Sequence, residues 1–486
     1  MTDQRNKLQG LFQPKNRYEN FGEAIVRMHV QGFRCHRNTV IEVESPITAF
    51  CGLNGTGKST LLQLAAVAYK NAPGYQRRYV KNFIIAGKLD QTPFTPNASV
   101  KFEYLQPIAA GGAIQTKSVT VSRGNSKWTG YKRQPERRVY FAGVGLYLPR
   151  IEEWDSATRH ASTLTVQNTV SLSAEVKDKI AQILGTVYDA ANENHCKIKA
   201  KSQKVITVGR NAVTYSEANM GCGEGRIYHI VRVLEELPDR SLVLLEEPET
   251  SLHPSAQHNF GKYLVDVSVR KRHQIFLTTH SEYLLMALPQ RSRILFLQTP
   301  SGLHQIPGIG VRQAMSLMSD QHVPALHILV EDDVAQAVVT ELLRRHDPFF
   351  LRTVRIGIGG DKKQIGKFME VFCELGMQVC AVRDGDTGEN PTKRLFKLFG
   401  VLPPEKEIFQ SPTFRQLMED KYHINWNDLR VALDAKDHHE WFDELERIIL
   451  MKRDALLQIA AESYLNSVSE GEQIELIEKL KGAAAQ

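Results

Sequence analysis

No run in this chain approaches the ~18 consecutive apolar residues that a membrane-spanning helix needs, and no charged-then-apolar leader surrounds Arg5 and Lys7. Both absences predict a cytoplasmic chain with no membrane partner. Cysteine is scarce. The six, at Cys35, Cys51, Cys196, Cys222, Cys373 and Cys380, form no CxxC pair and no Cys/His zinc spacing. That excludes a disulfide scaffold and a zinc finger and predicts reduced thiols. Internal repeats, heptad arrays and low-complexity tracts are also missing. What remains is a 486-residue chain, 42% hydrophobic and 24% charged, with apolar material for two or three full cores.

The net charge of +7 is unevenly placed. Residues 1–150 hold 22 Lys and Arg against 8 Asp and Glu, whereas the rest holds 39 against 46. From Arg77 to Arg138 twelve basic residues face three acids, interleaved with Tyr79, Phe83, Trp128 and Tyr131. A local positive field of this kind attracts polyanions, so nucleic acid is the partner expected there; a solvated basic face is the alternative.

The hydrophobic pattern predicts an α/β chain. Residues 1–21 read as a polar, poorly ordered segment. Alternation predicts strands at 25–30, 39–43 and 47–51, and a helix follows at 59–69. Residues 95–145 read as β-rich and basic, and 174–192 as one helix. Strands and helices alternate again over 217–297, and the Gly- and Pro-containing stretch 301–323 reads as a linker. A β-α-β-α-β run covers 325–386, with charged, helical text after Pro403-Pro404. The implied division is a first domain over 22–317 with a basic insertion at about 75–215, a second over 322–400, and a helical region over 401–486.

Gly52-Leu53-Asn54-Gly55-Thr56-Gly57-Lys58-Ser59 fits the phosphate-loop pattern, set between a strand and a helix. Its glycines let backbone N–H groups turn inward on a phosphate, and the helix N-terminus adds partial positive charge. Asn54, Gly55, Thr56, Gly57, Lys58, Ser59 and Thr60 are the expected ATP contacts. Lys58 reaches the β- and γ-phosphates, and Ser59 ligates Mg²⁺. Leu242-Val243-Leu244-Leu245 then reads as a buried parallel strand that delivers Glu246 and Glu247 at its C-terminal end, where ligands bind in α/β sheets. Glu246 suits the Mg²⁺ shell, and Glu247 suits the water that attacks the γ-phosphate.

Glu246-Glu247-Pro248-Glu249-Thr250-Ser251-Leu252-His253-Pro254, followed by Leu277-Thr278-Thr279-His280-Ser281, resembles the Walker B, D-loop and His-switch of ABC/SMC-head-type ATPases of the OLD (overcoming lysogenization defect) kind. Met220-Gly221-Cys222-Gly223-Glu224-Gly225-Arg226 is similar to their signature motif. Gly32-Phe33-Arg34-Cys35-His36 resembles the SMC-type entry to the phosphate loop. The resemblance covers about residues 22–300. It implies catalysis by Lys58, Glu247 and His280, nucleotide contact by Arg34, and Gly223 and Glu224 closing over the ATP of a partner copy, hence a homodimer or higher oligomer. Gly221 departs from the pattern, standing where the family has Ser, and so removes one hydroxyl from that trans contact.

A second constellation follows. Strand 326–330 leads to Glu331, and strand 378–382 leads to Asp384-Gly385-Asp386. Adjacent parallel strands can bring these three carboxylates together, and oxygen-only ligands favour Mg²⁺ or Mn²⁺. The pattern is similar to the Toprim domain. An ATPase followed by Toprim is the layout of OLD-family nucleases, many of which act in defence against phage. The second acid of that family falls here on Ala335, with Asp332 and Asp333 as possible substitutes. Two readings follow: an ATP-gated, metal-dependent nuclease, or an ATPase scaffold with a degenerate Toprim-like domain that controls a separate effector. A membrane-transporter ATPase fits worse, because such subunits carry no Toprim-like tail.

Overall fold

The computed structural model describes residues 3–71, 77–108, 113–125, 127–146, 162–198, 201–319 and 324–485. Parts of the expected basic insertion, and residues 320–323 of the expected linker, lie outside the described residues. The chain divides into two units, Met1–Ile309 and Gly310–Gln486. Among the described residues no helix is long and apolar enough to cross a membrane.

The centre of the first unit is a six-stranded sheet. Its strands run in the order Gly302–Pro307, Arg293–Thr299, Ile47–Gly52, Gln274–Thr279, Leu242–Glu246, Val139–Ala142. All neighbours pair in parallel except the first two. Ile47–Gly52 and Gln274–Thr279 are buried at every residue, which is why they read as unbroken apolar runs. Two antiparallel sheets flank it. One runs His36–Glu42, Ile25–Phe33, Phe94–Pro107, Ile114–Arg123, Trp128–Thr129, and the other Val213–Ser216, Lys201–Arg210, Ala190–Ile198, Thr165–Ser171.

Four expectations need correction. Residues 1–21 are not loose: helices Gln4–Leu11 and Pro14–Phe21 bury Leu8, Phe12 and Phe21, and the two Phe rings meet edge-on at 5.2 Å. Three apolar residues among polar ones are enough to dock two short helices. The helix expected over 174–192 ends at Leu184, because Gly185 takes a left-handed cap (φ 66°); Ala190–Ile198 is then a strand. Most of the expected linker is ordered, with Gly302–Pro307 completing the central sheet and Val311–Met318 forming a helix. The basic insertion is not one body either, since Val139–Ala142 belongs to the central sheet beside Leu242–Glu246.

The second unit carries a four-stranded, all-parallel sheet ordered Val354–Ile358, Leu326–Val330, Val379–Arg383, Leu395–Lys397. The C-terminal helices share its core: Ile328, Val330 and Val382 belong to one buried cluster with Phe409, Phe414, Leu456 and Leu480. Residues 322–400 and 401–486 are therefore parts of one unit.

Candidate functional site

Three neighbouring parallel strands of the central sheet end at the same edge. Ile47–Gly52 opens into the phosphate loop, Gln274–Thr279 ends at His280, and Leu242–Glu246 ends at Glu247. The loop turns on Gly52, Gly55 and Gly57, all at positive φ (142°, 83° and 81°). Two of these positions exclude any side chain. A Cβ on Gly52 would stand 2.3 Å from the Phe296 carbonyl oxygen, and one on Gly57 2.3 Å from His36 Nε2. His36 is fully buried; its Nε2 lies 3.0 Å from the Gly57 carbonyl oxygen and its Nδ1 lies 3.1 Å from Thr39 Oγ1. It fastens the far side of the loop to the antiparallel sheet.

Lys58 donates to the carbonyls of Gly52 (2.8 Å) and Leu53 (2.9 Å), so its amine lies along the inside of the loop. Burial draws the amine below the usual lysine range, and the charge of Glu247 opposes that fall. Thr56 Oγ1 donates to the Leu53 carbonyl (2.8 Å). Arg34 Nη1 donates to Thr60 Oγ1 (3.2 Å), which places the guanidinium beside the loop helix Lys58–Ala65. Ser59 is half-buried, whereas Asn54 and Gly55 are exposed at the tip. Turned glycines, a buried amine and a helix N-terminus fit a polyphosphate.

Glu247 sits at φ 42°, uncommon for a side-chain-bearing residue, and its N–H donates to Thr278 Oγ1 (3.1 Å). His280 Nε2 lies 3.4 Å from Glu247 Oε1. Burial, with help from Lys58, lowers the imidazole's pKa, and the charge of Glu247 opposes that fall. His280 is itself held by Glu249, whose carboxylate accepts from the His280 N–H (3.2 Å) and from the Thr279 hydroxyl. Burial raises the pKa of Glu249.

The signature segment lies on helix Cys222–Glu236. A Cβ on Gly223 would stand 2.4 Å from the Ser251 carbonyl oxygen, so this glycine permits the helix to touch the D-loop of its own chain. Glu224 Oε1 accepts from Tyr188 (2.7 Å) and Tyr215 (2.8 Å), which pins it to the antiparallel sheet. Arg226 is the residue whose role sequence reasoning missed. It is buried, and it donates to the carbonyls of Val144 (3.1 Å), Glu246 (3.2 Å) and Glu247 (3.2 Å). One guanidinium thus holds the backbone of both Walker carboxylates. Its place within the signature segment was the available signal. Around Gly221 space is open, with no atom within 4 Å of an added Cβ.

In the second unit the parallel pairing of Leu326–Val330 with Val379–Arg383 brings Glu331 and Asp384 together. The Asp384 N–H donates to Glu331 Oε1 at 3.3 Å. Asp384 is buried, and its pKa is pushed up to about 8 by burial and then by Glu331, Asp332, Glu405 and Asp386. Asp386 is exposed. The two candidates for the acid missing at Ala335 are already engaged. Asp332 Oδ1 caps helix Asp333–His346 by accepting the Ala335 N–H (2.8 Å), and Asp333 pairs with Arg453 (2.5 Å). Ala335 itself is fully buried. Glu405, buried on helix Pro404–Gln410, faces Asp332 and His439; no part of the strand pattern pointed to it.

Residues 27–207 match the family model of the AAA domain, and residues 151–285 match that of the AAA ATPase domain. The first unit accordingly carries a P-loop ATPase domain of the AAA kind. The chain is similar to Protein ea59 of Escherichia phage lambda, 22% identical over 253 residues, which are 50% of this chain and 47% of that protein. It thus spans about half the length of the curated relative it matches. Among solved structures it is similar to the SMC head domain from Thermotoga maritima (14% identity, 58% of this chain, 98% of that chain, TM-score 0.33). An SMC head bound to the C-winged helix domain of ScpA is similar too, with the same identity and coverage and a TM-score of 0.35.

Proposed function

We propose that this chain is an ABC-type ATPase of the OLD kind whose ATP-bound heads pair, and that pairing controls the second unit. The observation that carries the hydrolytic half is the convergence of Lys58, Glu247 and His280 at the ends of three adjacent strands. Ser59 and Glu246 would hold Mg²⁺, which neutralises charge on the β- and γ-phosphates. Lys58 would exchange its bonds to Gly52 and Leu53 for phosphate oxygens. Glu247 takes the proton of the attacking water, and His280 steadies that carboxylate. The signature helix, with Gly223 and Glu224, closes on the nucleotide of the partner copy. Glu247→Gln keeps the shape and loses the base, so it should retain ATP while turnover stops. Sedimentation of this variant should show a dimer with ATP and less association with ADP; equal sedimentation in both would exclude trans pairing.

The basic region favours nucleic acid as partner. Trp128 stacks on Phe33 (5.5 Å), Arg123 lies over Phe94 (5.5 Å), and Lys81, Lys127, Lys132 and Arg133 are exposed nearby. Arg137 is not part of that surface. It is buried and donates to the Glu23 carbonyl and the Tyr69 hydroxyl (3.3 Å each).

For the second unit, read as Toprim-like, the geometry favours a scaffold that controls a separate effector over cleavage through Glu331, Asp384 and Asp386 with Mg²⁺ or Mn²⁺. Ala335 is buried, and Asp332 and Asp333 are spent on a helix cap and an ion pair. Defence against phage is the setting that the OLD resemblance implies. Incubation with plasmid in Mg²⁺ or Mn²⁺, with and without ATP, tests both halves. Retardation that fades steeply with salt is expected, without nicking. Nicking that disappears in Asp384→Ala/Asp386→Ala would restore the nuclease reading.

A further inference from the structure

Outside the strand-end carboxylates, the second unit gathers a different set of donors. Glu405 comes from the first turn of helix Pro404–Gln410, and His438 and His439 come from the short turn His438–Glu440 packed against it. One ligand atom from each of the three lies within 4.8 Å of the others. His439 Nδ1 stands 3.2 Å from Glu405 Oε1, and the two imidazole rings lie 4.0 Å apart. Asp437 Oδ1 lies 3.2 Å from His438 Nδ1, the kind of outer carboxylate that orients a ligating imidazole.

The second observation is the state of the Glu405 carboxylate. Its side chain is 2% exposed, and its other oxygen, Oε2, is buried with no hydrogen-bond partner. Nearby, buried Asp384 also has an oxygen, Oδ1, without a partner. A buried carboxylate oxygen left unpaired carries an uncompensated desolvation cost. The group beside the other oxygen, Oε1, is the His439 imidazole. Asp332 adds negative charge on the same side. A dication answers all of this at once.

We propose that Glu405, His438 and His439 form a binding site for a transition-metal dication of the Zn²⁺ type. Two imidazoles and one carboxylate are the donor set that zinc prefers over Mg²⁺, which takes oxygen ligands only. Ligands at ~2.0–2.2 Å in tetrahedral geometry stand about 3.3–3.6 Å apart, so donors already within 4.8 Å need only side-chain rotation to close. Asp332 acts electrostatically on Glu405, and Glu405 acts in turn on Asp384. The site is independent of the ATPase and does not require nuclease activity.

The test is titration of the untagged, full-length chain with Co²⁺ and Zn²⁺ by calorimetry and visible absorption, in excess Mg²⁺. One Co²⁺ per chain with a d–d spectrum, displaced by Zn²⁺, is expected. His438→Ala/His439→Ala should weaken binding at least 100-fold. His439 is 61% exposed, so His439→Ala alone keeps the fold and should already shift the spectrum. Glu331→Gln/Asp386→Asn should leave binding unchanged. No Co²⁺ or Zn²⁺ binding by wild type overturns the proposal. So does binding that survives the double histidine variant, or binding lost only in Glu331→Gln/Asp386→Asn, which would place the ion on the strand-end carboxylates.

Discussion

At the end of Leu242–Glu246, two carboxylates stand among basic side chains. Lys58 lies across the loop, Arg226 holds the carbonyls of Glu246 and Glu247, and His280 lies 3.4 Å from Glu247. At the ends of Leu326–Val330 and Val379–Arg383, the carboxylates of Glu331, Asp384, Asp332, Glu405 and Asp386 instead press on one another. Burial first, and then these neighbours, push the Asp384 pKa up to about 8. Both are C-terminal edges of parallel sheets, the usual address of a ligand in α/β folds. They differ in what they wait for. The first edge has its counter-charges built in and is poised for a polyanion. The second has an excess of negative charge and is poised for a cation or a proton. A strand that ends in acids is thus no guide to chemistry until its neighbours are known.

The sharpest way to break the first edge is to remove its interior cation. Lys58→Ala should lower ATP turnover at least ~100-fold, since a charge-assisted contact to the transferred phosphoryl is lost. Steady-state phosphate release measures this, and a rate within a few-fold of wild type would move the site elsewhere.

Arg226→Ala probes the same edge through its backbone. Three carbonyls would lose a buried donor, which should destabilise the first unit by about 2–4 kcal/mol. Arg226→Lys, lacking the fork, should recover only part. Denaturant unfolding separates these cases; an alanine variant as stable as wild type would mean that Arg226 positions nothing.

The second edge predicts a pH effect of definite sign. A carboxyl whose pKa rises on folding takes up a proton as the chain folds. Stability from Asp384 is therefore greatest below its unfolded pKa of about 4 and is lost as pH rises toward about 8. Asp384→Asn should flatten that slope and stabilise the unit by roughly 1–3 kcal/mol at pH 8 in chelator. Glu405, raised to about 6, would supply what slope remains. Thermal unfolding between pH 5 and 9 reads this directly, and an unchanged slope would mean that Asp384 ionises freely.

Much of the first edge was legible because its parts are local. The phosphate loop is one contiguous stretch whose glycines answer to tight turns. Strands such as Leu242–Glu246 and Ile47–Gly52 announce themselves as short apolar runs between turn signals. Legibility failed where a partner was remote. The helices of residues 4–21 looked polar because Leu8, Phe12 and Phe21 carry their packing alone. Gly302–Pro307 looked like a linker because only its pairing with Arg293–Thr299 makes it a strand. Arg137 looked like surface because the carbonyls and hydroxyl that receive it lie far along the chain.

The sequence by itself determined the parts of the candidate site: which glycines turn the loop before Lys58, which strand delivers Glu246 and Glu247, and which histidine follows the next strand. These follow from short-range geometry, the φ freedom of glycine and the period of buried strands. Only the tertiary structure decided that Arg226 clamps the Walker backbone and that Glu224 is tied to Tyr188 and Tyr215. It alone set Glu405, His438 and His439 beside Asp332 and Asp384. Most of those partners are separated by tens of positions. Their meeting depends on how packed layers bring helix ends to a sheet edge, and no local pattern in the chain records that.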